Sequence, residues 1–174
     1  MFLKVSSIDT PTASATSGLT VAITVDATAS AVCSISGGVV SFLASGTCVL
    51  DFNQAGNTNW LAATQVQQSF TVAQGAQTIT APTNPSGPWS STLSVATTAT
   101  SGLTVSYALG AGSTATGCAV TSAGVVSATS AGTCVITLSQ AGNTNWLAAS
   151  NVTATATFTA SAQTITAPTN PSGP

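Results

Sequence analysis

Leu19-Thr-Val21-Ala-Ile23-Thr-Val25 alternates large apolar with small or polar side chains, and the pattern returns as Leu103-Thr-Val105-Ser-Tyr107-Ala-Leu109. A period of two sends successive side chains to opposite faces of an extended backbone, so both runs read as half-buried strands. Cys48-Val-Leu50-Asp-Phe52, Cys134-Val-Ile136-Thr-Leu138 and Val152-Thr-Ala154-Thr-Ala156-Thr-Phe158 read the same way. In the last of these threonine takes the outer face, a position that suits its branched, hydroxylated side chain. Ser17-Gly-Leu and Ser101-Gly-Leu mark a hairpin, and Ala-Gly-Asn-Thr-Asn marks a corner. No helical periodicity interrupts the series. Strands are expected near residues 77–81, 91–99, 103–109, 118–121, 124–128, 133–139 and 151–159. Short strands with turn signals between them predict an all-β fold, an antiparallel β-sandwich.

The pattern is duplicated. Gln77-Thr-Ile-Thr-Ala-Pro-Thr-Asn-Pro-Ser-Gly-Pro88 recurs unchanged from Gln163 to Pro174, a period of 86 residues, and Ala55-Gly-Asn-Thr-Asn-Trp-Leu-Ala-Ala63 recurs from Ala141 to Ala149 at the same offset. A repeat of this length is large enough to be a domain rather than a solenoid unit of roughly 20–50 residues. The expected organisation is two tandem sandwich domains of about seven strands each. Repeat one spans 1–76, repeat two spans 77–161, and residues 162–174 open a further copy. By alignment on Ser-Gly-Leu-Thr-Val, Met1 falls opposite Pro85, so repeat one lacks its own Gln-Thr-Ile-Thr strand. Asp9 and Pro11 stand where repeat two has Leu93 and Val95, and Phe2, Leu3 and Val5 are the residues placed to substitute in part.

Charge is nearly absent. Lys4, Asp9, Asp26 and Asp51 make up 2% of the chain, with no His, Arg or Glu, against about 25% in ordinary soluble domains. The common general acids and bases, imidazole metal ligands and guanidinium clamps are therefore missing. No enzyme activity, cofactor or metal is expected. One lysine cannot neutralise a track of phosphates, which argues against nucleic acid as a partner. With 44% hydrophobic residues the chain has enough apolar material for small cores. A surface of hydroxyls and amides offers little repulsion between copies and makes association nearly independent of salt.

No run reaches the roughly 18 apolar residues of a membrane helix, and Met1-Phe-Leu-Lys-Val-Ser-Ser is too short and polar for a signal peptide. Four cysteines at matching places in the repeats point to an oxidising compartment, hence an extracellular or cell-surface location and a processed chain or a piece of a longer one. Of the three possible pairings, Cys33 with Cys48 and Cys118 with Cys134 is favoured because each pair stays inside one repeat. A zinc site of four thiolates lacks any Cys-x-x-Cys spacing. Trp60 and Trp146 follow the corner at equivalent places and are expected to anchor the core or corner. Trp89 reads as a local surface contact, and Asp26 and Asp51 as solvated strand-end charges rather than a calcium site.

Gln-Thr-Ile-Thr at each repeat start, Ser-Gly-Leu-Thr-Val, Gly-Thr-Cys-Val and Gln-Ala-Gly-Asn-Thr-Asn-Trp together resemble the bacterial immunoglobulin-like repeats of large surface and secreted proteins. The resemblance covers nearly the whole chain and implies an immunoglobulin-like fold and a stalk, adhesin or filament role, with no catalytic residues to transfer. A sandwich short of a strand exposes backbone donors and acceptors beside a gap in its core, a ready acceptor for an extended peptide. Gln163, Thr164, Ile165, Thr166 and Ala167 repeat a segment expected to serve as a strand at 77–81, which makes them the candidate donor. Entry of one chain's tail into repeat one of the next is a head-to-tail contact that builds a pilus-like filament. Pro168, Pro171 and Pro174 restrict the connection. The partner expected is thus another copy of the chain. The alternative is a piece of a long adhesin or stalk, and a third reading is a carbohydrate-binding module with a glycan or host-surface target.

Overall fold

In the computed structural model, which describes residues 10–168, the alternating runs are strands and no α-helix occurs among the described residues. β1 (Ala22–Val25), β2 (Cys33–Ser36), β3 (Val39–Phe42), β4 (Gly46–Asn53) and β5 (Val66–Val72) come from repeat one. β6 (Ser86–Pro88), β7 (Leu93–Ser94), β8 (Ser106–Leu109), β9 (Ala119–Val120), β10 (Val125–Ser127), β11 (Gly132–Gln140) and β12 (Ala149–Thr159) come from repeat two. The sheets run in the orders β1-β4-β5, β2-β3, β7-β10-β9 and β6-β12-β11-β8. The fold is all-β, with several antiparallel sheets consistent with a β-sandwich.

The residues divide between two compact units. Among the described residues, one holds 10–78 with Thr100–Gly102 and Ala141–Ala149; the other holds Ile79–Ala99, Leu103–Gln140 and 150–168. In the first unit β4 pairs along its whole length with β5, from Gly46 opposite Val72 to Phe52 opposite Val66, and on its other edge with β1. β2 and β3 form a hairpin whose two-residue turn, Gly37-Gly38, has φ of 58° and 79°. Two successive left-handed residues give the turn whose twist matches the strands it joins. Cys33, Val40, Cys48, Leu50 and Val72 form the buried centre, with Phe42 meeting Phe70 edge to face at 5.7 Å. In the second unit Val95, Val105, Val126, Ile136, Leu138 and Phe158 are buried. Ala154, Ala156 and Phe158 face inward along β12 while the threonines between them face out, as the period of two requires.

Three expectations change. The Ser17-Gly18 turn closes with Gly18 N donating to Ala15 O at 2.9 Å, but its flanks do not pair with each other. Residues 91–99 are not one strand: Val95 N bonds Gly124 O, whereas Thr98 O accepts from Thr80 N, so the segment changes partner midway and only Leu93–Ser94 forms a ladder. Finally, β6 lies parallel to β12, with Ser86 opposite Thr157. Pro85 and Pro88 carry no N–H and act only as acceptors, which confines this segment to a sheet edge. Pro85 O takes Thr157 N at 2.9 Å and the Asn84 side chain takes Thr155 N at 2.8 Å.

Both cystines are closed, Cys33 to Cys48 and Cys118 to Cys134. Closed disulfides suggest an oxidising, extracellular environment. No helix among the described residues is long and apolar enough to cross a membrane.

Candidate functional site

The segment Gln77-Thr-Ile-Thr-Ala81 shows what a Gln-Thr-Ile-Thr strand needs. In the first unit Thr78 N donates to Thr100 Oγ1 at 3.0 Å and Thr100 N returns a bond to Thr78 O at 2.9 Å. The buried Gln77 spans its surroundings with both ends of its amide: Nε2 donates to Leu147 O at 2.7 Å, and Oε1 accepts from the Ser101 hydroxyl. In the second unit Thr80 N donates to Thr98 O at 2.9 Å, the Thr97 hydroxyl donates to Thr80 O, and Ile79 is buried opposite Ala99. The expected five-residue strand is thus an extended segment with a single bridge. Side-chain hydroxyls replace part of the ladder, and Tyr107 fixes the partner by accepting from Thr97 N and donating to Thr97 O.

The Asn-Thr-Asn-Trp corner supports the same segment within the first unit. Asn143 Oδ1 accepts from Asn145 N and Trp146 N, and Asn143 N donates to Trp146 O at 3.0 Å. Gly142 has φ of 76°, and a Cβ there would lie 2.3 Å from Trp146 O. Gly75 N donates to Asn145 O at 2.8 Å and Leu147 N donates to Gly75 O at 2.9 Å, which lays Gly75 on the Trp146 ring. A Cβ at Gly75 would sit 2.9 Å from ring atom Cζ3. Replacing Gly142 with alanine should therefore cost more than the roughly 1–2 kcal/mol of a left-handed non-glycine residue, because the backbone must also move. Urea denaturation of G142A checks this; an unchanged midpoint would show that the corner is not rigid.

Among the described residues, repeat one presents the same surroundings with no strand laid across them. A groove of about 510 Å³ is lined along one side by Thr12 to Thr16, the counterparts of 96–100 that hold residues 78–80 in repeat two. Ala15, Val21, Phe52, Gln54, Ala63 and Gln68 line it and are half-buried or exposed, whereas their counterparts Ala99, Val105, Leu138, Gln140, Ala149 and Ala154 are all buried. The lining mixes the apolar Ala15, Val21, Phe52 and Val66 with the amides and hydroxyls of Asn, Gln, Ser and Thr, a surface suited to an extended peptide. The residues expected to substitute for the missing strand, Phe2, Leu3 and Val5, lie outside the described residues, as do Lys4, Asp9, Pro171 and Pro174.

The candidate donor is in the opposite condition. Gln163, Thr164, Ile165, Thr166 and Ala167 are all exposed and belong to no strand of the described structure. Ile165 is 95% exposed, against 6% for Ile79 in the identical sequence.

The two tryptophans of the corner differ. Trp146 is half-buried under Gly75, but Trp60 is 50% exposed, so Trp60 is no core anchor. Its corner folds the same way, with Asn57 Oδ1 accepting from Asn59 N and Trp60 N. What differs is the segment that lies on the ring in repeat two. Trp89 is 43% exposed, with its backbone N–H on Thr159 O.

Asp51 is not a solvated strand end. It is buried in the middle of β4, where Gln67 Nε2 donates to it at 2.8 Å and also reaches Asp26 at 3.2 Å. Asp26 caps the short turn Ala27–Ala29, and the Thr28 hydroxyl and backbone N–H hold its carboxyl below the usual aspartate range. Among the described residues no three metal-ligating side chains of His, Cys, Asp or Glu lie together. Ser101 reads from the sequence only as a hairpin mark and Tyr107 only as a strand residue, and Gly75 is not singled out; the signal for their roles lies in a difference or match between repeats, since Ser161 and Ile23 stand at the counterparts of Gly75 and Tyr107 and Ser17 repeats Ser101. No family model and no curated protein matches the chain.

Proposed function

We propose that the chain is a structural subunit of an extracellular, cell-surface fibre in which immunoglobulin-like sandwich repeats are joined by Gln-Thr-Ile-Thr strands. The groove of repeat one takes residues 163–167 of a second copy, and repetition of that head-to-tail contact makes a filament. One comparison carries the reading: a sequence whose Gln77 and Ile79 are buried and whose backbone is hydrogen-bonded at Thr78 and Thr80 stands exposed at 163–167, while among the described residues no strand lies across the matching groove in repeat one. The near absence of charge leaves little to oppose close approach of copies, so assembly is insensitive to salt.

Residues 77–81 are supplied to their site from within the same chain, and this favours a second reading in the same structural class. In a longer tandem stalk or adhesin the groove is filled by the strand that precedes it, with the same chemistry. A fusion separates the two. Residues 160–170 placed directly ahead of Met1 reproduce the spacing of 74–84 ahead of Pro85. Under the filament reading this fusion yields monomers by light scattering where the original chain polymerises, because the groove is already occupied. An original chain that stays monomeric at every concentration, while the fusion melts higher, leaves only the stalk.

A further inference from the structure

The groove of repeat one reads one side chain in particular. We infer that Ser17 and the Leu61 carbonyl form a glutamine-specific subsite that sets the register of the incoming strand, with Gln163 of a second copy as its ligand. The inference rests on the strand-exchange reading above and adds to it the residue that makes the contact specific.

The template is the clamp on Gln77, whose two amide ends are held by Leu147 O and the Ser101 hydroxyl. Ser17 is the counterpart of Ser101 and Leu61 of Leu147, and both are retained in repeat one. Ser17 is half-buried and its Oγ accepts from Leu19 N at 3.3 Å, a bond that uses a lone pair and leaves the hydroxyl's donor capacity for an incoming acceptor. Leu61 is 95% exposed and follows Trp60 at the end of the corner. Thr16 and Ala63, the sequence neighbours of Ser17 and Leu61, line the groove, so both residues adjoin its lining along the chain.

The chemistry selects glutamine. A primary amide offers a donor to the carbonyl and an acceptor to the hydroxyl at once; glutamate has no donor, and leucine has neither group. A buried polar group without its partner weakens binding far more than an exposed one. Register matters because a one-residue slip exchanges the inward and outward faces of a strand. Such a slip would bring Thr164 or Thr166 to the apolar lining residues in place of Ile165. Backbone pairing alone does not prevent it, since Thr-Ile-Thr offers the same hydrogen-bonding groups at each step. Ser161 marks the limit of the contact on the other side. It occupies the place of Gly75, where a Cβ would strike the tryptophan ring, so residues before Ala162 do not repeat the seating of 74–76.

The experiment uses the full chain carrying Ile165→Asp as acceptor, so that its own tail does not compete, and a fluorescent peptide of residues 162–168, Ala-Gln-Thr-Ile-Thr-Ala-Pro, as probe. The unaltered peptide is expected to bind, and peptides with Gln163→Glu or Gln163→Leu to bind at least about tenfold more weakly. In an acceptor that also carries Ser17→Ala, the preference for Gln over Leu should fall to about threefold or less. Equal affinity of the Gln and Leu peptides for the acceptor with Ser17 intact overturns the glutamine subsite and leaves strand exchange standing. Failure of the unaltered peptide to bind overturns both.

Discussion

Ile165→Asp should abolish polymer while leaving the folded monomer untouched. Ile165 is almost fully exposed in the free chain, so the substitution removes no intramolecular packing. In the proposed assembly the same side chain takes the place in repeat one that corresponds to the buried site of Ile79 in repeat two. Burying an isoleucine contributes about 1.5–3 kcal/mol, and placing a carboxylate there costs several more. A loss of at least about 4 kcal/mol corresponds to roughly a thousandfold in affinity, enough to take a linear assembly to monomers. Light scattering and electron microscopy of matched concentrations measure the effect, and circular dichroism melting of the monomer checks that the fold is intact. Fibres of undiminished length from I165D would remove the tail from the interface.

The second large effect concerns the cystines. The Cys33–Cys48 bond closes a separation of 15 residues, and the chain-entropy model assigns about 3 kcal/mol to a loop of that size. Replacing both cysteines with alanine should lower the melting temperature by roughly 10–20 °C for a unit of this size. The unit is exposed to this loss because its core is small: both sulfurs belong to the buried centre with Val40, Leu50 and Val72. Scanning calorimetry of the variant against the parent chain decides it. A transition at the parent temperature would mean that apolar burial alone holds the unit.

Much of this was legible from residue types and spacing. Alternation located β1, β4, β11 and β12, because one face of each is more buried than the other, half-buried in β1, and the pattern must follow the pleat. Duplication identified the tail as a copy of 77–81, and the favoured cysteine pairing is the one formed. What stayed hidden depends on neighbours that no local pattern records. Trp60 and Trp146 share the same nine-residue context, yet the half-buried ring is the one on which Gly75, remote in sequence, is laid. Asp51 sits at an outward-reading position of an alternating run, yet it is buried, and the Gln67 amide on the adjacent strand satisfies its carboxylate there. The parallel pairing of β6 escapes period-two reasoning altogether, since Ser86-Gly-Pro88 has no apolar face and joins β12 through backbone groups. The groove is legible only by comparing repeats: the residues that line it read like those of any strand, and their exposure follows from what lies against them.

Each cystine also has a mechanical consequence. Pulling the chain from its ends unravels a unit only as far as its covalent links allow, and the residues between paired cysteines stay shielded from the load. With separations of 15 and 16 residues, and a fully extended reach of about 3.3–3.6 Å per residue, each unit surrenders roughly 50 Å less slack than an unlinked chain would. A tether made of such units stretches less before it stiffens, and a reducing agent lengthens it by that fixed increment per link.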